Sequence, residues 1–183
     1  MKAVRLPLRF DAELLAAEVA RLGEDAWMPH FNAAYYEGDW SGIALRSVSG
    51  RSNMLFSDPS RRDQIADTDI VERCPGLAEA MRSFQCRLDV VRLLRLGPGA
   101  SIREHRDIDL GYEIGEVRIH VPITTSPQVT FYLDGSPVEM QPGEAWYLDL
   151  SLPHRVDNAG GGDRIHLVVD CYVNEWLREM LEG

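Results

Sequence analysis

Three side chains in the second half of the chain have the makings of a divalent-metal site: His105, Asp107 and His154. In an extended strand successive side chains point to opposite faces, so His105 and Asp107 project to one side and Arg106 to the other. A neutral imidazole and a carboxylate held that way can occupy two adjacent corners of an octahedron. His154, behind the backbone-restricting Pro153 and after the strand-like Ala145–Asp149 run, supplies a third. Such a 2-His-1-carboxylate face leaves three positions open, which suits non-haem Fe(II) that must take a cosubstrate and O₂ together. A structural zinc site, by contrast, is closed and usually thiolate-rich. The His-x-Asp triplet alone is weak, since it often occurs as a surface pair. The weight lies in the combination: four of the five histidines fall between 105 and 166, and only His30 stands outside, as a structural or exposed residue.

Two arginines lie in the same stretch. Arg118-Ile119-His120 and Arg164-Ile165-His166 are both set in apolar runs, so strand parity puts Arg118 with His120 on one face, and Arg164 with His166 and Val168 on one face. An arginine directed into a sheet interior is costly unless it meets an anion. Its planar guanidinium grips a carboxylate through two parallel hydrogen bonds, which lysine cannot reproduce. Arg164, ten residues past His154, is read as the clamp for an organic dicarboxylate. Arg118 is open between that role and a buried pair with Asp149, Asp170 or Glu116. His120 and His166, taken singly, read as hydrogen-bonded sheet histidines.

The elements that would position these groups follow from pattern. From Cys86 onward, short apolar runs recur between Gly, Pro, Asn and Asp: Leu88–Leu96, Ile102–Asp107, Glu116–Ile123, Gln128–Leu133, Gly143–Leu148 and Arg164–Tyr172. That spacing predicts an antiparallel sandwich or barrel rather than a parallel βαβ sheet. Asp134-Gly135 marks a hairpin turn. Upstream, Asp11 to Leu22 reads as an amphipathic helix capped by Asp11 and stopped at Gly23, and Pro75 opens a second helix with Leu77, Met81 and Phe84 on its apolar side. Ile43–Val48 reads as a strand, residues 49–73 as a surface loop with a short helical turn, and Asn174–Leu181 as a closing helix. Residues 108–115, with glycines at 111 and 115, are either a lid or substrate wall beside Asp107 or a plain connecting hairpin. Tyr35, Tyr36 and Trp40 are candidates for pocket lining, with core packing as the plain alternative.

The bulk numbers narrow the partners. At 183 residues the chain fits one domain with a full hydrophobic core, and 45% hydrophobic with 26% charged residues is an ordinary globular composition. A formal charge of −10, from 19 basic and 29 acidic side chains, repels phosphate backbones and anionic membranes, so no nucleic acid or membrane partner is expected. The N-terminal residues are broken by charges and Pro7 before a signal core could form. Cys74, Cys86 and Cys171 make no CxxC pair and are expected to stay reduced in a cytoplasm. The expected assembly is a monomer or homodimer.

With these motifs in view, the chain resembles the aspartyl/asparaginyl β-hydroxylase family of Fe(II)/2-oxoglutarate oxygenases. The resemblance rests on His105-Arg106-Asp107, Arg118-Ile119-His120, the segment from Gly143 to Asp149, Leu152-Pro153-His154 and the segment from Arg164 to Asp170. It covers about residues 86–172, with a weaker echo around Gly38–Gly50, and is strongest toward small bacterial members that hydroxylate a free amino acid such as L-proline. It implies a mainly β fold, a double-stranded β-helix (a cupin-like jelly roll) with flanking N- and C-terminal helices. Residues 1–85 would be a helical and loop part packed on the barrel, 86–172 the jelly-roll core and 173–183 a terminal helix. It also implies His105, Asp107 and His154 as iron ligands, Arg164 on a carboxylate of 2-oxoglutarate, and Arg118, His120 and His166 as further cosubstrate contacts. The activity implied is hydroxylation of an unactivated C–H with 2-oxoglutarate and O₂, releasing succinate and CO₂. Animal peptidyl hydroxylases of the family lack the carboxylate ligand that Asp107 would provide, so the triad leans toward a small-molecule substrate over a peptidyl Asp or Asn. Two further readings use the same scaffold: a cupin-like isomerase, hydrolase or lyase that does not use O₂, and a non-catalytic sensor.

Overall fold

Alternation of apolar and polar side chains, with period two, accounts for most of the architecture. The computed structural model describes residues 1–183. The N-terminal half holds β1 (Ala3–Arg9), α1 (Ala12–Val19), β2 (Met28–Pro29), β3 (Tyr36–Glu37), β4 (Trp40–Val48), β5 (Ile65–Asp67), α2 (Asp69–Arg73) and α3 (Pro75–Arg82). The rest comprises β6 (Leu88–Leu96), β7 (Ser101–His105), β8 (Glu116–Thr124), β9 (Val129–Leu133) and β10 (Ser136–Val138). It ends with β11 (Glu144–Leu148), β12 (His154–Asn158), β13 (Arg164–Tyr172) and α4 (Glu175–Glu182).

The strands form two antiparallel sheets. The major one runs β1-β11-β8-β13-β6-β4-β2, with β5 also on β4, and the minor one runs β10-β9-β12-β7-β3. The minor sheet covers one face of the major sheet, and α1, α3 and α4 cover the other. On β8 and β13 this division is residue by residue. Val117, Ile119, Val121, Leu167, Val169 and Cys171 join the larger core with Leu15, Leu77 and Leu177 of the helices. Val168 of the opposite face joins a smaller core with Phe131, Leu133 and Val156 of the minor sheet. Fully burying each such aliphatic side chain is worth about 1.5–3 kcal/mol.

Local signals end the elements as expected. Asp11 caps α1 by accepting from the Leu14 N–H at 3.0 Å, Pro75 opens α3, and Asn174 caps α4 by accepting from Leu177 N–H at 3.0 Å. Asp134 and Gly135, with φ of 49° and 74°, turn β9 into β10. Both central residues at positive φ make the hairpin turn whose twist matches the strands.

Three expectations need correction. Residues 1–85 are more than helix and loop, because β1 through β5 all pair into the sheets. In β1 the alternation Val4, Leu6, Leu8 against Arg5, Pro7, Arg9 makes an edge strand, where proline costs no ladder hydrogen bond. Next, β7 stops at His105, so Asp107 lies beyond the strand and is held by its N–H on Leu150 O at 2.8 Å. Finally, His154 follows β11 as expected but also opens a strand that the pattern does not show: β12 is polar in sequence, but β7 and β9 pair with it on both sides. No helix is long and apolar enough to cross a membrane.

Candidate metal centre

His105 and His154 are brought together by the minor sheet, where they are direct cross-strand partners at the ends of β7 and β12. Their ring centroids are 4.2 Å apart. The Nδ1 of His105 lies 2.8 Å from Arg103 O, and the Nδ1 of His154 lies 3.0 Å from Leu152 O. A carbonyl can only accept, so each Nδ1 carries the proton and each Nε2 presents a lone pair, the tautomer a metal requires. Asp107 Oδ1 sits 3.8 Å from His105 Nε2, and one donor atom from each of His105, Asp107 and His154 lies within 4.8 Å of the others. Burial pushes the His154 imidazolium down to about 4, so the ring is neutral at physiological pH.

The second oxygen of Asp107 accepts from Arg118 Nη1 at 2.5 Å. The rest of the Arg118 guanidinium is spent on Asp170, with Nε at 2.6 Å and Nη2 at 2.9 Å. Burial disfavours this cation, but the charges of Asp170 and Asp107 outweigh it and hold Arg118 firmly protonated. Asp170 is shared with Arg92, whose Nη2 donates at 2.9 Å while Nη1 donates to Leu55 O at 2.6 Å. A relay therefore runs from the buried Arg92 and Asp170 to the half-buried Arg118 and Asp107. Of the alternatives open for Arg118, the structure forms the pair with Asp170 and adds Asp107.

Arg164 is placed differently. It opens β13 and is 2% exposed, yet no carboxylate reaches it. Its Nη2 donates to His166 Nδ1 at 2.9 Å, and its Nε has no partner. Burial lowers its pKa to about 9, a large cost for a guanidinium. His120 Nε2 is likewise buried without a partner. Burial, then the Arg164 charge, keep His120 and His166 well below the usual histidine range.

Arg164, His120 and the three donors all border one cavity of about 360 Å³, and Arg164 also borders a second of about 630 Å³ beyond Phe131. A buried guanidinium without an anion, beside an unpartnered imidazole nitrogen, fits a carboxylate arriving with a ligand. The donor set and the unpartnered nitrogens of Arg164 and His120 therefore match a divalent metal and a dicarboxylate sharing this cavity.

Several cavity residues were not anticipated. Arg92 was legible by the reasoning used on Arg118, being a charge within the apolar run Leu88–Leu96. His30 stacks on Trp40 at 3.5 Å and borders the cavity, with its pKa lowered to about 4 by burial and then by Arg92. Phe31, Phe56 and the Arg62–Glu116 pair (2.6 Å) also border it, and no local motif marks them. Tyr35 and Trp40 line the cavity, whereas Tyr36 packs edge-on against Trp40 at 5.5 Å. Residues 108–110 form part of the wall, and 111–116 close back on themselves through the Gly111–Glu116 bridge.

Fold and site together define a double-stranded β-helix with three candidate metal donors, His105, Asp107 and His154, facing one cavity. Residues 10–173 match the family model described as aspartyl/asparaginyl beta-hydroxylase, and the chain belongs to that family. It is 26% identical over 170 residues to L-proline cis-4-hydroxylase of Rhizobium meliloti (strain 1021), an alignment covering 89% of this chain and 58% of the relative. It is 29% identical over 161 residues to L-proline cis-3-hydroxylase 1 of Streptomyces sp, covering 82% and 55%. The chain thus spans a little over half the length of these relatives. Among solved structures, a prolyl-4-hydroxylase from Pseudomonas putida superposes with a TM-score of 0.57 at 17% identity, covering 94% of this chain and 93% of that one.

Proposed function

We propose that residues 1–183 act as one oxygenase domain that uses Fe(II), 2-oxoglutarate and O₂ to hydroxylate an unactivated C–H of an amino acid. The observation that carries this reading is that the His105–Asp107–His154 donor set and Arg164, a buried cation with no anion of its own, line the same cavity. His105, Asp107 and His154 would hold the iron, and Arg164 a carboxylate of 2-oxoglutarate, with His120 beside it. Bound there, iron, 2-oxoglutarate and O₂ would supply the oxidation that inserts one oxygen atom into the C–H bond, with succinate and CO₂ as co-products.

The chain's own part is orientation and exclusion of water. The Nδ1 bonds to Arg103 O and Leu152 O fix both imidazoles with Nε2 toward the metal position. Arg118 holds one oxygen of Asp107 and leaves the other for the cation, which makes it an orienting group before a cosubstrate contact. His166 would act through Arg164 by fixing one of its nitrogens. The cavity walls carry both signs of charge, Arg62, Arg92 and Arg118 against Glu116, Asp170 and Asp107, which suits a zwitterion. The two L-proline hydroxylases among the relatives support the same substrate class.

The test is an anaerobic load of Fe(II) and 2-oxoglutarate, followed by O₂ and a panel of free amino acids. Succinate release with a product heavier by one oxygen is expected. Failure to release labelled CO₂ from 2-oxoglutarate with any substrate would overturn the proposal and favour a cupin-like reaction without O₂.

A further inference from the structure

Eight large apolar side chains are exposed on this chain, and four of them, Phe31, Tyr35, Phe56 and Ile108, border the one cavity that holds the metal donors. Phe31 is 64% exposed and Ile108 75%. Scattered exposed apolar residues need no explanation, but a group of them ringing a site marks a surface meant to be covered. What covers it depends on whether the ring can fold in on itself.

It is built in place. The Phe31 and Tyr35 segment is tied on both sides: His30 N–H donates to Trp40 O at 2.8 Å, and Tyr36 pairs with Ile102 across β3 and β7. The His30 ring stacks on Phe31 at 4.6 Å as well as on Trp40, and Tyr35 stacks on His105 at 5.1 Å. Phe56 lies between two anchors, Leu55 O accepting from Arg92 at 2.6 Å and Ser57 Oγ donating to Asp89 at 2.5 Å. Phe31 and Phe56 already touch, edge to face, at 5.2 Å. Ile108 follows Asp107, whose N–H is bonded to Leu150 O, and precedes Leu110, whose N–H returns to Asp107 O at 3.2 Å. A collar pinned at each member is preformed, so its cover comes with the ligand.

We propose, on the footing of the function above, that the substrate is an α-amino acid with a large apolar side chain, seated between the charged floor and this collar. The floor receives the ammonium and carboxylate, and Phe31, Phe56, Tyr35 and Ile108 receive the side chain. A residue inside a peptide would bring no charge to walls that carry both signs, whereas a zwitterion can align its ammonium and carboxylate along the ion pairs there. A compact amino acid such as L-proline would satisfy the floor and leave the collar wet.

The experiment measures binding separately from turnover. L-Phenylalanine, L-leucine, L-proline and L-alanine are titrated calorimetrically into the protein loaded with Zn(II) and 2-oxoglutarate, and succinate release is read in parallel with Fe(II). L-Phenylalanine or L-leucine is expected to bind at least about tenfold more tightly than L-alanine and L-proline, the factor for partial burial of one such side chain. In the Phe31→Ala/Phe56→Ala variant that ratio should fall to within about twofold of unity, while Phe31→Leu keeps most of it. Equal or tighter binding of L-proline overturns the inference alone and leaves an amino-acid hydroxylase standing. So does a preference that survives the double variant, or tighter binding of acetylated, amidated Gly-Phe-Gly than of free L-phenylalanine. If no amino acid binds or drives succinate release, the proposed function falls and this inference with it.

Discussion

The two faces of the major sheet are made by the same strands and do opposite work. Toward the helices, β8 and β13 present Val117, Ile119, Val121, Leu167, Val169 and Cys171, each fully buried among apolar neighbours. Toward the minor sheet the same strands present Arg118, His120, Arg164, His166 and Asp170, with Arg92 alongside on β6. The first face gains free energy from every side chain it buries. The second buries charges and imidazoles that are satisfied only partly, by each other. Stability is thus concentrated on one side of a single sheet, and unmet bonding capacity on the other.

Breaking the polar face where its charges are paired should have the largest effect. Asp170→Asn leaves Arg92 and Arg118 without their shared carboxylate, and a loss of about 3–5 kcal/mol is expected in denaturant titration. A change under about 1 kcal/mol would mean that the relay is not held together by charge. On the apolar face, Leu167→Ala should cost about 2–5 kcal/mol with little effect on metal affinity measured while the protein stays folded. If metal binding weakened in proportion to stability, the two faces would not be separable.

The histidines add a pH dependence that the apolar face lacks. His30 and His154 are held at about 4 in the fold, against about 6.5 in an unfolded chain, and His120 and His166 are also lowered. Between those values the unfolded state takes up protons that the fold refuses. Their contribution to stability is therefore complete above about pH 6.5 and is lost as pH falls toward 4. The melting temperature should drop between pH 7 and pH 5, and a flat profile there would show that these rings accept protons without unfolding. The smallest effect is expected at Arg164. Because its charge has no anion, Arg164→Met should leave stability within about 1 kcal/mol of the parent or raise it, whereas a paired arginine would cost several times that.

Much of this division was legible in the sequence, because period-two alternation reports faces directly. Arg118-Ile119-His120 and Arg164-Ile165-His166 announce a polar and an apolar side to any reader who assumes strands, and the family resemblance rests on those same residues. The strands β1 and β12 were missed for opposite reasons. In β1 the charges of Arg5 and Arg9 hid a regular alternation, and in β12 the polar sequence gives no strand signal until β7 and β9 flank it. Asp107 was placed on the correct side for an incomplete reason, since a loop hydrogen bond and Arg118 hold it where strand parity no longer applies. Of the collar, Tyr35 and the 108–115 segment were legible as candidate pocket walls, whereas Phe31 and Phe56 were not. Nothing local in Phe31 or Phe56 says that the two will meet above a cavity, because that contact depends on how two distant loops return to β4 and β6.

The most direct test of the account is a titration of 2-oxoglutarate into metal-loaded parent and Arg164→Met proteins, with metal content measured on the same samples. The expected result is about one divalent ion per chain in both proteins and a loss of cosubstrate affinity of at least about a hundredfold in the variant, the scale of a removed charge-assisted carboxylate pair. Equal affinity for 2-oxoglutarate in the two proteins would contradict the claim that this buried guanidinium is waiting for a carboxylate.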